Sequence, residues 1–194
     1  MSTLKKSSVQ HRFQLLAQLE EKVFHLDDLA GLWEISSPNT LRVTLHRYVR
    51  KGLLYPIYRG FYSILPVEKC DPLLLGIKAM HQYAYISTET VLAEAGIILQ
   101  MASKITIVCG ESRQFRIGQV EYQSRKLKDA CLFNSMGISA EGPYRKAGVS
   151  RAVADLLYYN SVFHFDHASA IDWQEVKAIQ KNVGYPVTER GLKP

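Results

Sequence analysis

The most polarised part of the 194-residue chain runs from Ser36 to Leu65 and carries five basic residues but no acidic residue. The basic residues are Arg42, Arg47, Arg50, Lys51 and Arg59. Positive charge without neighbouring carboxylates suits the binding of a polyanion, and Asn and Arg side chains can also hydrogen-bond to base edges. The chemistry of this segment therefore depends on whether one element presents these side chains together.

A single predicted helix carries most of this charge. Ser37 is a suitable N-cap and Pro38 fits the first helical position, while Gly52 supplies the C-terminal stop. One face of the helix is apolar and consists of Leu41, Leu45, Tyr48 and Val49. The opposite face presents Asn39, Arg42, Val43, His46, Arg47 and Arg50. A solvated helix face with three arginines is the alternative that the charge alone leaves open.

The segments on both sides of this helix predict a helix-turn-helix with a wing. Apolar residues recur at helical spacing at Val9, Phe13, Leu16, Leu19 and Val23, and a shorter helix containing Leu29, Leu32 and Trp33 follows two acids. After the charged helix, residues 53–58 and 61–65 are rich in strand-forming types around Arg59-Gly60, which predicts a hairpin with Arg59 at its tip. This order is that of a winged helix-turn-helix.

The N-terminal segment resembles a known family over roughly residues 8–65. The residues that carry the resemblance are Gly52-Leu53-Leu54 and Tyr58-Arg59-Gly60-Phe61-Tyr62. Together with the Ser-Pro start of the charged helix, they are similar to the winged-helix domain of AbiEi-type antitoxins. The wing of these bacterial proteins typically carries a basic residue, Gly, an apolar residue and Tyr.

A proline-bounded linker, residues 66–72, divides the chain into a domain at 1–67 and a second domain at 72–194. The second domain alternates strand-like and helical patterns, so the expected fold class is α+β, with a winged helix-turn-helix followed by a mixed α/β domain. Residues 85–92 and 148–157 also resemble the C-terminal antitoxin domain of the AbiEi family. Val149-Ser150-Arg151 retains only part of the family's Pro-Glu-Arg-type start.

The resemblance implies a bacterial cytoplasmic repressor that binds inverted repeats in double-stranded DNA at its own promoter. It also implies a role in abortive infection, in which the second domain counters a co-encoded nucleotidyltransferase-like toxin without requiring a stable complex. The residues themselves support only the DNA-binding half of this expectation. A protein-interaction module with a purely structural winged helix is the alternative, because the exposed Val43 and the tyrosines of the wing also suit a protein partner.

The residue types assign a role to each expected DNA contact. Major-groove contacts are expected from Asn39, Thr40, Arg42, Val43 and Arg47. Phosphate contacts are expected from Ser37, Arg50 and Lys51, and a flanking backbone or minor-groove contact from Arg59. A second basic cluster is a candidate auxiliary DNA surface or an ordinary solvated one: Arg113, Arg116, Arg125, Lys126 and Lys128.

Composition and motifs point away from an enzyme or a membrane protein. The net charge of +6 and the 47% apolar residues are ordinary for a packed protein, no apolar run predicts a signal peptide or membrane span, and phosphate-loop motifs are absent. The three cysteines match neither a disulfide framework nor a zinc site. His164, Asp166 and His167 are the densest group of potential metal ligands, and a metal bound there would favour a small hydrolase. We expect no cofactor, metal or catalytic residue.

Overall fold

The computed structural model describes residues 9–19, 21–58, 60–100, 103–140 and 142–191. Internal contacts divide the chain into an N-terminal unit, residues 1–71, and a C-terminal unit, residues 72–194. The described residues form eight α-helices and two sheets, so the fold is α+β. No helix among them is long and apolar enough to cross a membrane.

The N-terminal unit combines three helices with a three-stranded antiparallel sheet. Along the chain the elements are α1 (Val9–Gln18), β1 (Val23–His25), α2 (Leu26–Leu32), α3 (Pro38–Arg50), β2 (Tyr55–Tyr58) and β3 (Phe61–Ser63). The strand order is β1-β3-β2, with Val23 opposite Ser63 and Tyr55 opposite Ser63 from the other side. The assignment of Val23 to the first helix is wrong, because α1 ends at Gln18 and Val23 starts a strand that pairs with β3.

The core of the N-terminal unit fixes α3 against the other two helices. Leu29, Leu45 and Tyr48 are almost fully buried, and the ring of Trp33 stacks on that of Tyr48 at a centroid distance of 5.0 Å. The Trp33 indole also donates a hydrogen bond to the carbonyl of Arg12 on α1, at 3.3 Å. Because Trp33 lies between α2 and α3, these contacts position the two helices across a short turn.

The ends of α3 and the following hairpin form as the sequence predicts. The Ser37 hydroxyl caps the helix by accepting a hydrogen bond from the Thr40 amide, Pro38 occupies the first turn, and Gly52 adopts a positive φ of 66° after the helix end. Strands β2 and β3 then pair antiparallel. Gly60 turns the chain between them with a φ of 66°, and its carbonyl accepts a hydrogen bond from the Leu26 amide at 2.7 Å. The hairpin is therefore tied to the start of α2.

The C-terminal unit is a six-stranded mixed sheet with five helices. Its strands are β4 (Ala84–Ile86), β5 (Ile105–Cys109), β6 (Arg113–Ile117), β7 (Val120–Lys126), β8 (Ile138–Ser139) and β9 (Lys146–Ala147), in the order β6-β7-β5-β4-β9-β8. Its helices are α4 (Pro72–Met80), α5 (Glu89–Glu94), α6 (Asp129–Leu132), α7 (Val149–Tyr159) and α8 (Trp173–Val183). Strands β5 and β7 are parallel, with Thr106 opposite Gln123 and Val108 opposite Arg125.

The core of the C-terminal unit contains a fully buried ion pair. Arg151 and Asp155 on α7 have no exposed side-chain surface, and Arg151 Nε lies 2.8 Å from Asp155 Oδ1. The other Arg151 nitrogens donate to the Tyr85 and Tyr185 hydroxyls and to the carbonyls of residues 131, 134 and 136. The second oxygen of Asp155 accepts a hydrogen bond from the Ser87 hydroxyl at 2.7 Å. The pair thus joins β4, α7 and the segment after α6.

The chain enters α5 through a strained residue. Thr88 has a φ of 52° and a ψ of −130°, a region that is essentially restricted to glycine. Its hydroxyl is buried and has no hydrogen-bond partner among the described residues. The Ser87 hydroxyl bonds to Asp155, and Thr88 is the N-cap residue of α5.

Candidate nucleic-acid interface

The two faces of α3 differ sharply in burial and in chemistry. Leu41, Thr44, Leu45 and Tyr48 face the core, which leaves the opposite side of the helix to solvent. Val43 at the centre of that side is 45% exposed. The predicted DNA contacts Ser37, Asn39, Thr40, Arg42, Arg47, Arg50 and Lys51 are all exposed. The structure therefore brings these predicted residues together on one surface, which we call the α3 face.

The cations of the α3 face have no carboxylate partner in the described part of the chain. No described carboxylate forms an ion pair with Arg42, Arg47, Arg50 or Lys51. The first turn of α3 also has no acidic residue. A helix N-terminus carries partial positive charge, so an anion at the start of α3 would meet favourable electrostatics there in addition to the side-chain cations.

The hydroxyl groups at the start of α3 are partly committed to the helix itself. The Ser37 hydroxyl accepts from the Thr40 amide at 3.4 Å, and its O–H is still available to donate to an acceptor. The Thr40 side chain is exposed, whereas Thr44 is turned inward and donates to the Thr40 carbonyl at 2.8 Å. Ser37 is therefore both a cap and a group able to meet a phosphate oxygen.

The β2–β3 hairpin lies next to α3 in the chain and shows a partly exposed aromatic surface. Tyr58 is 38% exposed, and Pro56 is exposed two residues earlier. Arg59, the predicted contact at the hairpin tip, lies outside the described residues. The Leu53 amide donates to the Tyr48 carbonyl at 2.9 Å, which fixes the path from α3 into the hairpin.

The second basic cluster of the sequence is largely neutralised by neighbouring side chains. Arg116 pairs with Glu121, and Arg125 pairs with Glu89. Arg113 lies 3.3 Å from Glu111 and also donates to the Ala79 carbonyl. Lys126 and Lys128 are exposed. The Arg116 hydrogen bond and charge lower the pKa of Glu121 below its usual value, so this pair stays ionised at neutral pH. The auxiliary DNA surface stays a prediction that rests on the two lysines.

Neither a protein-family model nor a curated protein sequence matches this chain.

The candidate metal ligands and the cysteine described next belong to the C-terminal unit and not to the α3 face. Asp166 Oδ2 accepts a hydrogen bond from the Leu99 amide at 2.8 Å, and His167 Nδ1 lies 2.6 Å from the Gly96 carbonyl. Both side chains therefore hold the segment after α5 in place. Burial raises the pKa of the Cys109 thiol, which keeps it protonated and makes it a poor nucleophile at neutral pH.

Two ion pairs of the C-terminal unit are not evident from the sequence. Arg151 and Asp155 are separated by one helical turn, a spacing that is typical of exposed ion pairs, and the sequence gives no sign that all of α7 from residue 150 to residue 157 is buried. Glu89 and Arg125 are 36 residues apart, so no local motif links them. The burial of the first pair and the meeting of the second both depend on packing against elements that are distant in sequence.

Proposed function

We propose that the N-terminal unit is a winged helix-turn-helix that binds double-stranded DNA, with α3 as the recognition helix and the β2–β3 hairpin as the wing. The observation that carries the proposal is the α3 face, on which four cations, an Asn and a Val are exposed without a neutralising carboxylate among the described residues. Residues of these types contact phosphates, purine edges and thymine methyl groups in the major groove.

The order of elements supports the same proposal. A helix and a short strand precede α2, a tight turn joins α2 to α3, and a hairpin follows α3 directly. The strand β1 lies against β3, so β3 is the central strand of the three-stranded sheet and β2 is one of its edges. This arrangement suits a helix that enters the major groove while the hairpin reaches the adjacent backbone.

We further propose that the protein acts as a transcriptional repressor and antitoxin of the AbiEi type. The resemblance of residues 52–62 to the wing of that family supports this role, and it implies an operator with inverted repeats at the protein's own promoter. It also implies that the C-terminal unit counters a nucleotidyltransferase-like toxin encoded by the neighbouring gene. This second role is separable from DNA binding because the two units are distinct in the chain.

Equilibrium binding to the protein's own promoter fragment tests the DNA-binding proposal. Wild-type protein should prefer the promoter over a scrambled sequence of equal length at matched salt. Arg47→Ala should lower affinity and relax specificity at one base pair, with a discrimination loss of about 1–3 kcal/mol. Lys51→Ala should weaken binding to both sequences and reduce the slope of log K against log salt by about 0.9.

A matched charge removal serves as the control. Lys181 is exposed on α8 of the C-terminal unit, and Lys181→Ala removes the same charge without touching the α3 face. Its affinity and salt slope should equal those of the wild type. Equal wild-type affinity for promoter and scrambled DNA at every salt concentration would refute sequence-specific recognition by this face.

A protein-interaction role is the second candidate, and the exposure of two apolar side chains favours it. Val43 is 45% exposed on α3 and Tyr58 is 38% exposed on β2. Such side chains pack equally well against a protein partner. A purified partner that stays bound in 1 M salt and is released by Val43→Asp, together with no DNA retention, would establish this alternative instead.

The antitoxin role has its own test. Co-expression with the neighbouring gene product should restore growth that this gene product alone arrests. Arg47→Ala should retain the rescue when expressed from a foreign promoter, because the proposed neutralising unit is intact. Absence of a nucleotidyltransferase-like neighbour would remove the antitoxin proposal and leave DNA binding standing.

A further inference from the structure

A polar cavity of about 350 Å³ opens on the C-terminal unit beside the sheet. Its wall is formed by the solvent-side residues of β5 and β7, by the start of α5 and by the segments after α5 and α7. The lining residues on which our argument depends are Glu89, Ile98, Lys104, Gln123, Arg125 and Phe163. The volume falls within the range of cavities that hold small organic ligands.

Two polar atoms of the cavity wall lack a hydrogen-bond partner among the described residues. Arg125 Nη2 donates to Glu89 Oε1, whereas Arg125 Nε and Glu89 Oε2 are buried without a partner among the described residues. Buried polar atoms of this kind are costly, and in a native protein each calls for a water or ligand that completes it. The two side chains line the cavity and are 21% and 23% exposed, so a ligand that displaces their mutual hydrogen bond would meet an unpaired donor and an unpaired acceptor.

The remaining lining residues define the ligand further. Phe163 and Ile98 supply an apolar surface, and Phe163 is only half-buried. Lys104 is 30% exposed, donates one hydrogen bond to Gln114 Oε1 at 3.0 Å and lies 3.9 Å from Glu121, so its ammonium group has further N–H donors for a ligand. Lys104 and Arg125 outweigh Glu89 by one positive charge, which suits an anionic ligand.

We propose that this cavity binds a nucleotide. Every nucleobase presents an adjacent hydrogen-bond donor and acceptor on one edge, which matches the free acceptor of Glu89 and the free donor of Arg125. The base lies against the ring of Phe163, because aromatic side chains are the usual stacking surface for bases outside a duplex. Lys104 meets the phosphate, a role that suits a lysine ammonium. The site is distinct from the α3 face and does not depend on its function.

The ligand chemistry has two sources, a free mononucleotide and the terminal nucleotide of a single strand. Titration calorimetry of the full chain with AMP, GMP, CMP and UMP, and in parallel with single-stranded trinucleotides, separates them. Mononucleotide binding with no gain from the longer strand identifies a free nucleotide as the ligand, whereas tighter binding of the trinucleotides identifies a strand end. Ribose 5-phosphate should bind at least about tenfold more weakly than the best nucleotide, because it lacks the base that stacks.

Three variants test the assigned contacts. Phe163→Leu keeps an apolar side chain but removes the aromatic face, and should weaken the best nucleotide by about tenfold. Glu89→Gln exchanges the free acceptor for an amide and should change the preference among the four bases. Lys104→Met should weaken binding of AMP but not of adenosine, since only AMP carries the phosphate.

A surface ion pair outside the cavity provides the control. Lys146 pairs with Glu94 at 2.6 Å and is not part of the cavity wall, so Lys146→Met should bind nucleotides as the wild type does. Circular dichroism of each variant confirms that it is folded. The proposal is overturned if the wild type binds no mononucleotide or trinucleotide at 5 mM, or if folded Phe163→Leu and Lys104→Met variants bind as tightly as the wild type. Either result would leave the DNA-binding proposal untouched.

Discussion

Substitution of Arg151, the buried arginine of the C-terminal unit, should lower the free energy of unfolding of that unit by a large fraction. Arg151 has no exposed side-chain surface and makes hydrogen bonds to six acceptors, of which Asp155 is the only charged one. In Arg151→Met, three backbone carbonyls lose this donor. Asp155 keeps hydroxyl donors, among them those of Ser87 and Tyr185 at 2.7 and 2.8 Å, but no described cation.

The magnitude follows from the charge that is left behind. Breaking a buried ion pair by removing one partner costs about 3–5 kcal/mol, because the remaining charge is neither solvated nor paired. A typical domain is stable by only about 5–15 kcal/mol. We therefore expect Arg151→Met to leave the C-terminal unit marginally folded.

Native-state hydrogen exchange of the full chain measures this effect in one unit at a time. Amides of α7 should exchange about 100- to 4000-fold faster in Arg151→Met, which is the expected free-energy change at about 1.4 kcal/mol per factor of ten. Amides of α3 in the N-terminal unit serve as the internal control and should keep their protection.

A second substitution separates the buried charge from the lost packing. Arg151→Met combined with Asp155→Asn is uncharged, and Asn can accept from one of the Ser87 and Tyr185 hydroxyls through Oδ1 and donate to the other through Nδ2. The double variant should therefore be more stable than Arg151→Met alone, by about 1–2 kcal/mol. A cost below about 1 kcal/mol for Arg151→Met, or a double variant less stable than the single one, would contradict the account of a charge stranded in the core.

Three further predictions concern backbone strain, close packing and buried tyrosines. Thr88→Gly should stabilise the chain by about 1 kcal/mol, measured as a raised midpoint of urea unfolding. It relieves the strained backbone and removes an unpaired buried hydroxyl, and these gains outweigh the lost methyl group and the conformational entropy of glycine in the unfolded chain. A lowered midpoint would show that the backbone there is not strained. Gly76→Ala should lower the melting temperature, because its Cβ would lie 2.6 Å from the ring of Tyr122 on β7. The Cβ of Gly31→Ala on α2 would meet nothing within 4 Å, so this variant should raise the melting temperature. Equal effects of the two variants would contradict the packing described. Burial raises the pKa of Tyr85 and of Tyr185, so above about pH 10 the folded state retains protons that the unfolded chain releases. The free energy of unfolding should therefore be independent of these tyrosines below about pH 10 and fall above it by up to about 1.4 kcal/mol per tyrosine and pH unit. Tyr185→Phe should show a smaller slope.

Local signals were sufficient for most of the longer elements. Helix α3 carries its own cap, its proline start and its glycine stop, and α8 begins at Asp172, whose side chain accepts from the amides of Gln174 and Glu175. The groups that begin and end these helices are neighbours in sequence, which is why the termini of α3 could be predicted. The β6–β7 hairpin around Gly118 is likewise formed by residues that are close in sequence.

Elements whose formation depends on distant partners were not predictable in this way. Strand β1 continues the apolar spacing of α1, and only its pairing with β3, almost 40 residues later, makes it a strand. Helix α6 has four residues and β8 and β9 have two each, so they carry too few residues for a periodic pattern. The same limit hid the Glu89–Arg125 pair of the cavity, because Glu89 lies on α5 and Arg125 on β7.

The arginines of the two units differ in the groups that contact them, and this difference is the strongest physical reason to assign the α3 face to an external partner. In the C-terminal unit Arg113, Arg116, Arg125, Arg145, Arg151 and Arg190 each contact a carboxylate, a carbonyl or an aromatic ring. On α3 the basic residues at positions 47, 50 and 51 repeat at helical spacings of three and four without such partners among the described residues, and like charges at these spacings destabilise a helix by about 0.2–0.5 kcal/mol per pair. The helix dipole offsets part of this cost for the last turn but not for Arg42 near the beginning. An anionic partner would remove the repulsion that the folded unit otherwise carries, so DNA binding should also raise the stability of α3 itself.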